Sequence, residues 1–444
     1  MNDCRFAHAF TALQQWLKHQ LHTDEHFTLW YSAEDSQFVR FNHAKVRQAY
    51  PVLQIELTLR LIRDERHSTY HLNLTGDEQL DCQQLAQALE QLRATLAVLP
   101  ADPYLLLDTD TWTDERVVSG RTPPVSEVIR QVCSLSEGLD MVGIYAGGTL
   151  YRGFAHSWGA LGWHACSSNT LDWSLFDVSG EAVKTAYAAP DWNVQALSTL
   201  FAQAREKLEH LRTPRISLTP GQYRAYLAPA ALDEIIGMLS YGGFSAKGFA
   251  THQSALQQLK SGVQQLSPLV NIRNQPSTGL EPRFGREGNL TQDVALIEDG
   301  KLTGQLINTR SAAEYGLTSN GANTHETPSS LIMEPGDLPD DEVLNALGTG
   351  LYISNLWYLN YSDQSAARLT GMTRFATFWV ENGKIVAPIE TMRFDDTLYN
   401  ILGSNLLALT REQALFTTTS TYERREVSRY VMPGALLSAL TLTL

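Results

Sequence analysis

Hydrophobic and polar positions change period along the chain, and the two periods predict both helices and strands. Between residues 6 and 17 the apolar residues recur every three to four positions, which is the spacing of an amphipathic helix. Residues 52–61 instead alternate apolar and polar side chains, which is typical of a half-buried strand. Helical spacing returns in three later segments, 77–99, 125–137 and 192–211.

Several shorter runs of the first half are interpreted as strands, because aromatic and β-branched residues are frequent in them. These runs are 27–31, 38–41, 46–50, 67–74, 141–146 and 149–156. The last two are separated by Gly147 and Gly148, a pair that predicts a hairpin turn. A breaker at Thr213-Pro214 follows the helix at 192–211, and we predict a domain boundary there.

The second half is richer in strands and turns. Strands are predicted at 215–218 and 223–227, helices at 229–241 and 254–266, and hairpins at 294–307 and 374–386. Both hairpins turn on an Asx-Gly pair, Asp299-Gly300 and Asn382-Gly383. Helices and strands do not alternate as βαβ units, so the fold class is α+β. We expect an N-terminal α+β domain at 1–213 and a C-terminal β-rich domain at 214–444.

Composition narrows the classes of function. The chain has 444 residues, 43% of them hydrophobic, and a net charge of −14, which argues against a nucleic-acid-binding protein. Arg424 and Arg425 form a small basic patch that is interpreted as solvated surface charge. The four cysteines show no CxxC spacing, which favours reduced thiols. With neither a signal-peptide pattern nor an apolar run long enough for a membrane span, we expect a cytoplasmic protein.

The segment at 229–241 has the pattern of a core helix. Proline opens it, and apolar residues follow at the i, i+3, i+4 and i+7 positions from Leu232. Gly242 and Gly243 predict its end. Inside it stands Asp233-Glu-Ile-Ile-Gly-Met238, which has the shape of an HExxxH zinc motif whose histidine positions hold Asp233 and Met238, although Glu234 and Gly237 are present.

From about residue 215 to the end, the chain resembles the TldD/PmbA family, and more closely its PmbA (TldE) branch, which lacks HExxxH. The resemblance is carried by 294–307, 348–359, 369–371, 378–384 and 431–437, and more loosely by 40–46 and 152–159. The family often has an aspartate where this chain has Gly285, which puts any role of that carboxylate in doubt, whereas Glu287-Gly288 is kept.

The resemblance implies that the active branch binds zinc through both histidines of HExxxH and a late cysteine. Hydrolysis by zinc needs about three protein ligands and a carboxylate that takes the proton of the bound water. Here Asp233 and Met238 replace the histidines, and no cysteine follows Cys166. A thioether is a poor zinc ligand. We therefore expect no metal, cofactor or catalytic residue in this chain, and zinc in a partner subunit.

Other histidines offer rival metal motifs. His22 and His26 fit an HxxEH pattern, which requires a helix, but the segment leads into a predicted strand and is interpreted as a surface loop. His67 and His71 share a strand face and are interpreted as exposed. His156 and His164 lie among tryptophans, where packing is the simpler interpretation.

Three functions follow as hypotheses. The first is a non-catalytic subunit that forms a heterodimer with a TldD-like HExxxH metallopeptidase acting on unfolded or leader peptides. Exposed strand edges could hold such a peptide by main-chain hydrogen bonds. The second is a stand-alone, homodimeric binding or modulator protein without peptidase activity. The third is a hydrolase with a different metal site, for instance through His22 and His26.

Overall fold

The computed structural model of the chain describes residues 3–419, 421 and 423–444, and it has two large β-sheets. The strands of the first are β1 His26–Asn42, β2 Lys45–Arg63, β3 Arg66–Asn73, β4 Thr113–Val118, β5 Asp140–His156, β6 Leu161–Phe176 and β7 Ala182–Ala189. They lie in the order β3-β2-β1-β5-β6-β4, with β7 also paired to β6. All neighbours are antiparallel except β4 and β6.

Four helices accompany this sheet, at α1 Asp3–Gln20, α2 Glu78–Leu96, α3 Val125–Leu135 and α4 Val194–Leu211. Side chains alternate between the faces of a strand, so the odd-numbered residues of β1 share one face. Leu29 and Tyr31 pack in the core formed with α1 and α2, and Val39 packs in the core formed with α3 and α4. One face of the sheet is therefore covered by all four helices.

The opposite face of β1 is buried as well, but it is largely polar. Thr28, Ser32, Glu34 and Ser36 all lie on it with less than a tenth of their surface exposed. Buried polar groups need hydrogen-bonding partners. Glu34 and Ser36 find such partners in the second half of the chain, and Glu34 also accepts a hydrogen bond from Gln54 of β2.

The second sheet is built from residues 221–442. Its strands are β8 Gly221–Leu227, β9 Ile272–Asn274, β10 Val294–Glu298, β11 Lys301–Leu302, β12 Ser330–Met333, β13 Gly350–Ile353, β14 Trp357–Asp363, β15 Arg368–Met372, β16 Thr377–Glu381, β17 Lys384–Pro388, β18 Arg393–Thr397, β19 Leu406–Thr417 and β20 Arg429–Leu442. The main path is β11-β10-β9-β12-β20-β8-β13-β16-β17. The long strand β20 is its centre, because it pairs with β8, β12, β18 and β19.

Five short helices belong to this half: α5 Pro229–Gly237, α6 Ala246–Ala250, α7 Gln257–Lys260, α8 Thr309–Tyr315 and α9 Val343–Leu347. Helix α5 contributes Leu232, Ile235 and Ile236 to the core of this sheet, together with Leu437 of β20. The architecture confirms the predicted α+β class. The boundary at residue 213 stays a prediction, although α4 ends at Leu211 and β8 begins at Gly221.

The segments 27–31 and 38–41 are confirmed as strand, but their predicted separation is wrong, because both belong to β1, which has no turn between them. The polar residues between them suggested a break, yet Glu34 and Ser36 are buried and bonded to Arg425. The strands at 46–50 and 52–61 are likewise one strand, β2. Pro51 is tolerated there because β3 pairs only with residues 56–63, which leaves β2 an edge strand at the proline.

The predicted hairpin at Gly147 and Gly148 is also wrong, because β5 continues through both glycines. A Cβ atom on Gly148 would lie 2.1 Å from the carbonyl oxygen of Asp35, and one on Gly147 would lie 2.0 Å from the hydroxyl of Tyr145. These glycines therefore permit close packing within the sheet instead of forming a turn.

In the second half the hairpins on Asp299-Gly300 and Asn382-Gly383 are confirmed as β10-β11 and β16-β17. The predicted helix at 254–266 is reduced to α7, because Gly262 has a φ of +73° and ends the helical run. The predicted strand at 215–218 is a single bridge between Ile216 and Ile389. Within the described residues, no helix is long and apolar enough to cross a membrane.

Candidate functional site

Helix α5 forms for the reasons that its sequence suggests. Pro229 occupies the first turn, where its missing N–H costs nothing. Leu232, Ile235 and Ile236 are fully buried, and burial of a side chain of this size contributes about 1.5–3 kcal/mol. The hydrophobic face therefore fixes the helix on the sheet, and it determines where the side chains of the degenerate zinc motif lie.

The α-helix ends inside the motif. It stops at Gly237, and Met238–Ser240 continue as a 3-10 turn, so the second ligand position lies beyond the regular helix. Met238 belongs to the hydrophobic core with 8% of its surface exposed, and its carbonyl accepts a hydrogen bond from the Tyr361 hydroxyl at 3.0 Å. Gly237 has an ordinary helical φ of −55°, and a Cβ atom there would meet nothing within 4 Å. Its backbone geometry thus does not require glycine.

Asp233, at the first ligand position, is half-buried, and no positive charge contributes to its pKa. Among the described residues its Oδ1 atom has no hydrogen-bond partner. Burial, with a smaller contribution from the neighbouring Glu234, raises the pKa of Asp233 to about 7. The group therefore holds a proton through much of the acidic range.

Glu234 points away from the core of the second sheet and is exposed. Partial burial raises its pKa, Lys184 of β7 lowers it, and Asp172 of β6 raises it. The charges that influence Glu234 thus belong to the first sheet. Burial also raises the pKa of Asp172, and Lys184 opposes that shift.

The residues of α5 do not fit a zinc ion. The carboxyl group of Asp233 and the thioether of Met238 stand where the motif has two imidazoles. A protonated carboxyl group and a thioether packed in the core are both weak zinc ligands. Over the described part of the chain, no group of three or more His, Cys, Asp or Glu side chains is placed to hold a metal ion. Burial raises the pKa of Cys166 to about 12, so this thiol stays protonated.

His22 and His26 lie in a loop and at the start of β1, as the loop interpretation predicted. Glu25 between them is buried and forms an ion pair with Arg93 at 2.7 Å. His26 stacks on Trp158, with the ring centroids 4.4 Å apart. The structure therefore does not bring the HxxEH residues together on a helix face.

The other histidines have structural partners. His67 is half-buried and lies 3.3 Å from Asp102, so its interpretation as exposed was wrong, whereas His71 is exposed. His156 packs edge-on against Trp158, and His164 is buried with its Nε2 atom 2.9 Å from the carbonyl of Leu280. Burial lowers the pKa of His164 to about 4.

Sequence reasoning was also wrong about Arg425, which is a buried partner of the first sheet. Only 3% of its surface is exposed, and its guanidinium donates to Ser36 and Ser168. The backbone N–H of Arg425 donates to Glu34 at 3.2 Å. These bonds give Glu34 and Ser36 on the polar face of β1 a partner from the second half of the chain. The buried polar alternation of β1 was the signal that could have revealed this interface.

Next to Arg425 lies a cavity of about 600 Å³ between the two sheets, which we call the inter-sheet cavity. Trp30 of β1 and Arg152 of β5 line it from the first sheet. The remaining wall comes from the second half, from Asn274, Leu306 and segments within 281–292, 320–329 and 423–428. Gly285, the position where the family often has aspartate, is part of this wall. No motif in the sequence predicted it.

Comparisons with known proteins agree with this architecture. A family model described as the PmbA/TldA metallopeptidase C-terminal domain matches residues 220–443. The curated Metalloprotease PmbA of Escherichia coli O157:H7 is 29% identical over 180 residues, which span 39% of this chain and 38% of that protein. The family model and this relative support the resemblance seen in the sequence.

Solved structures are similar over nearly the whole length. TldE of Thermococcus kodakarensis has a TM-score of 0.75 at 14% identity and covers 98% of this chain and 100% of its own. A putative modulator of DNA gyrase from Thermotoga maritima has a TM-score of 0.74 at 14% identity, and the match covers 99% of this chain and 100% of that chain. A second putative modulator of DNA gyrase, from Bacteroides thetaiotaomicron, has a TM-score of 0.74 at 15% identity, and the match covers 98% of each chain. Since the family model covers residues 220–443, the chain belongs to the PmbA/TldD family.

Proposed function

We propose that this chain is a non-catalytic subunit of a TldD/TldE-type metallopeptidase complex. A TldD-like partner with an intact HExxxH motif would supply the zinc ion and the general base. This chain would complete the enclosure in which an unfolded or leader peptide is bound. A cytoplasmic location is part of the proposal.

The observation that carries the proposal is the chemistry of α5. Asp233 and Met238 occupy the two histidine positions, and Met238 is packed in the core. Glu234 keeps the position of the general base, but the residues at the two ligand positions would not hold a metal-bound water beside it, and the charges that shift its pKa are those of Lys184 and Asp172. A carboxylate in that setting has no nucleophile to activate.

A metal-free subunit can still serve a peptidase. Positioning of a peptide and exclusion of water contribute to catalysis without a second metal ion. Strand edges of the second sheet offer one means of holding an extended peptide, because main-chain hydrogen bonds can add a strand there. The likeness to a structure titled TldE supports the fold of such a subunit.

Co-expression with an HExxxH-bearing chain of the same family from the same genome tests the proposal. We expect a stable complex on size-exclusion chromatography, and hydrolysis of unfolded casein by the complex but not by this chain alone. Removal of zinc with a chelator should abolish the activity of the complex. Glu234→Gln in this chain should leave that activity unchanged, whereas loss of the HExxxH glutamate in the partner should abolish it.

Two results would overturn the proposal. One is zinc-dependent casein hydrolysis by this chain alone that is lost in Glu234→Ala. The other is a chain that remains a homodimer and never binds the HExxxH-bearing protein, which would favour the stand-alone binding protein.

A further inference from the structure

The inter-sheet cavity brings together three arginine side chains, Arg152, Arg286 and Arg424. Arg152 comes from β5 of the first sheet, whereas Arg286 and Arg424 come from loops of the second half. Guanidinium groups repel one another, so three of them around one cavity require compensation from carboxylates or from a ligand. How each one is compensated decides what the cavity can bind.

Arg424 is compensated within the protein, because its Nη1 atom lies 2.8 Å from Glu56. Arg152 is buried, and its Nη1 atom donates to the backbone carbonyls of Tyr151 at 2.9 Å and Ala33 at 3.4 Å. A carbonyl is a neutral acceptor, so the charge of Arg152 is solvated but not neutralised by these bonds. Glu281 supplies its main electrostatic attraction at longer range.

Arg286 differs from both. Its guanidinium lies 5.4 Å from the ring centre of Trp30, and within the described residues no carboxylate lies within 4 Å of it. Partial burial lowers the pKa of Arg286, and repulsion from Arg424 and Arg152 lowers it further, ahead of the opposing attraction of Glu56 and Glu426. The protein thus holds a planar donor group in a position where the other arginines make the potential more positive.

Four carboxylates share this wall, and among the described residues none of them forms an ion pair with Arg286. Glu287 is paired with Arg60 at 3.2 Å, and Glu281 supplies the main attraction to Arg152. Glu423 and Glu426 are exposed to solvent, as Arg286 is, so water screens their attraction for it. Arg286 lines the cavity beside Trp30 and forms no ion pair among the described residues, so its donors are available to a bound anion.

We propose that the inter-sheet cavity binds a carboxylate through Arg286, with Arg152 and Arg424 contributing to the positive potential. A guanidinium matches a carboxylate with two parallel hydrogen bonds, and its ring contact with Trp30 restricts its rotation. The volume of about 600 Å³ accommodates a short peptide segment. That the carboxylate belongs to a peptide rests on the proposed function, whereas carboxylate recognition by the cavity does not.

Calorimetric titration of the full chain with four N-acetylated hexapeptides of alanine, glycine and serine tests the proposal. The first has a free C-terminal carboxylate, the second is its C-terminal amide, the third is the amide with one glutamate, and the fourth is the amide with one lysine. Binding of the first alone assigns the terminal carboxylate, and binding of the third alone assigns an acidic side chain. Binding of both assigns carboxylates of either source.

Variants of the chain test whether the peptide binds at Arg286. Arg286→Gln should weaken binding of whichever carboxylate-bearing peptide binds by about tenfold to a hundredfold, and Arg286→Lys should restore part of the loss because it keeps the charge. Arg310→Gln is the matched control, since Arg310 lies in the neighbouring cavity and is already paired with Asp102 and Glu314. It should bind as the unaltered chain does. Thermal unfolding of each variant confirms that the fold is intact.

Several outcomes would overturn the inference. They are affinities for the free-acid peptide and the glutamate peptide that are both no higher than that for the amide, tighter binding of the lysine peptide than of either acidic peptide, no binding of any peptide, and equal losses in Arg286→Gln and Arg310→Gln. These outcomes leave the proposed function standing. Failure to form an active complex with the HExxxH-bearing partner would refute that function while the titration could still succeed.

Discussion

Helix α5 belongs to the second half of the chain, whereas both halves line the inter-sheet cavity, and the two regions differ in what holds them in place. In α5 the hydrophobic face is fully buried, and the two histidine positions of the motif hold Asp233 and Met238. In the cavity, charged residues from both sheets surround an open volume. The comparison teaches that hydrophobic packing alone can fix a motif's helix whatever residues stand at its ligand positions, whereas packing does not account for three arginine side chains around one cavity.

The largest effect should come from the packing of α5. Leu232→Ala removes a fully buried side chain from the core of the second sheet, and we expect a loss of about 2–5 kcal/mol in the free energy of unfolding. Urea unfolding followed by circular dichroism measures it. Leu290→Ala, at an exposed position, is the control and should change little. Equal effects at both positions would contradict the assigned role of the α5 face.

Arg425 should follow, because it binds the polar face of β1. Arg425→Met leaves Ser36 and Ser168 without their donor in a buried setting, and we expect a loss of about 3 kcal/mol. Arg212→Met removes an exposed pair with Glu209 and should cost less than about 0.5 kcal/mol. If Arg425→Met costs no more than Arg212→Met, Arg425 behaves as a solvated surface charge and the assigned role is wrong.

The third prediction concerns pH. In the unfolded chain Asp233 ionises near the ordinary value of 3.8, whereas in the folded protein its pKa is about 7. The folded state therefore binds the proton more tightly, and this residue's contribution to stability is lost as the pH rises from about 4 to about 7. Asp233→Asn does not ionise, so between pH 4 and pH 8 it should gain on the order of 4 kcal/mol in the free energy of unfolding relative to the unaltered chain.

Denaturation curves at both pH values measure that gain, with Asp24→Asn on an exposed turn as the control. If the difference in stability between Asp233→Asn and the unaltered chain is the same at pH 4 and at pH 8, Asp233 has an ordinary pKa in the folded protein. A variant that loses stability as the pH rises would show that the Asp233 carboxylate has a counter-charge.

The smallest effect should be that of Glu234, the one residue of the motif that keeps its identity. Its side chain is exposed, so Glu234→Gln should alter the free energy of unfolding by less than about 0.5 kcal/mol. Differential scanning calorimetry detects a change of this size. A markedly larger destabilisation would indicate that the interaction with Lys184 holds the two sheets together.

The sequence was sufficient for elements that depend on local signals. The Asp299-Gly300 and Asn382-Gly383 hairpins and helix α5 follow from turn chemistry and from the 3.6-residue period. It failed where distant residues decide the conformation. Gly147 and Gly148 look like a turn, but they are required by the close approach of Asp35 and Tyr145.

The two candidate sites, helix α5 and the inter-sheet cavity, also differ in how far the sequence reveals them. The missing donors at 233 and 238 are visible in the sequence, because the resemblance gives each position a chemical role. The cavity is not, since Arg152, Arg286 and Arg424 are separated by more than a hundred positions and are brought together only by the two sheets. Buried polar residues on alternate positions of β1 are the single local sign that a second layer covers this face.

The zinc content of the purified chain tests the central claim most directly. After expression in zinc-supplemented medium and exhaustive dialysis, elemental analysis should find zinc well below one atom per chain, with the same residual content in Asp233→Ala. One tightly held zinc per chain that is lost in Asp233→Ala would contradict the account, because it would place a metal ion at α5.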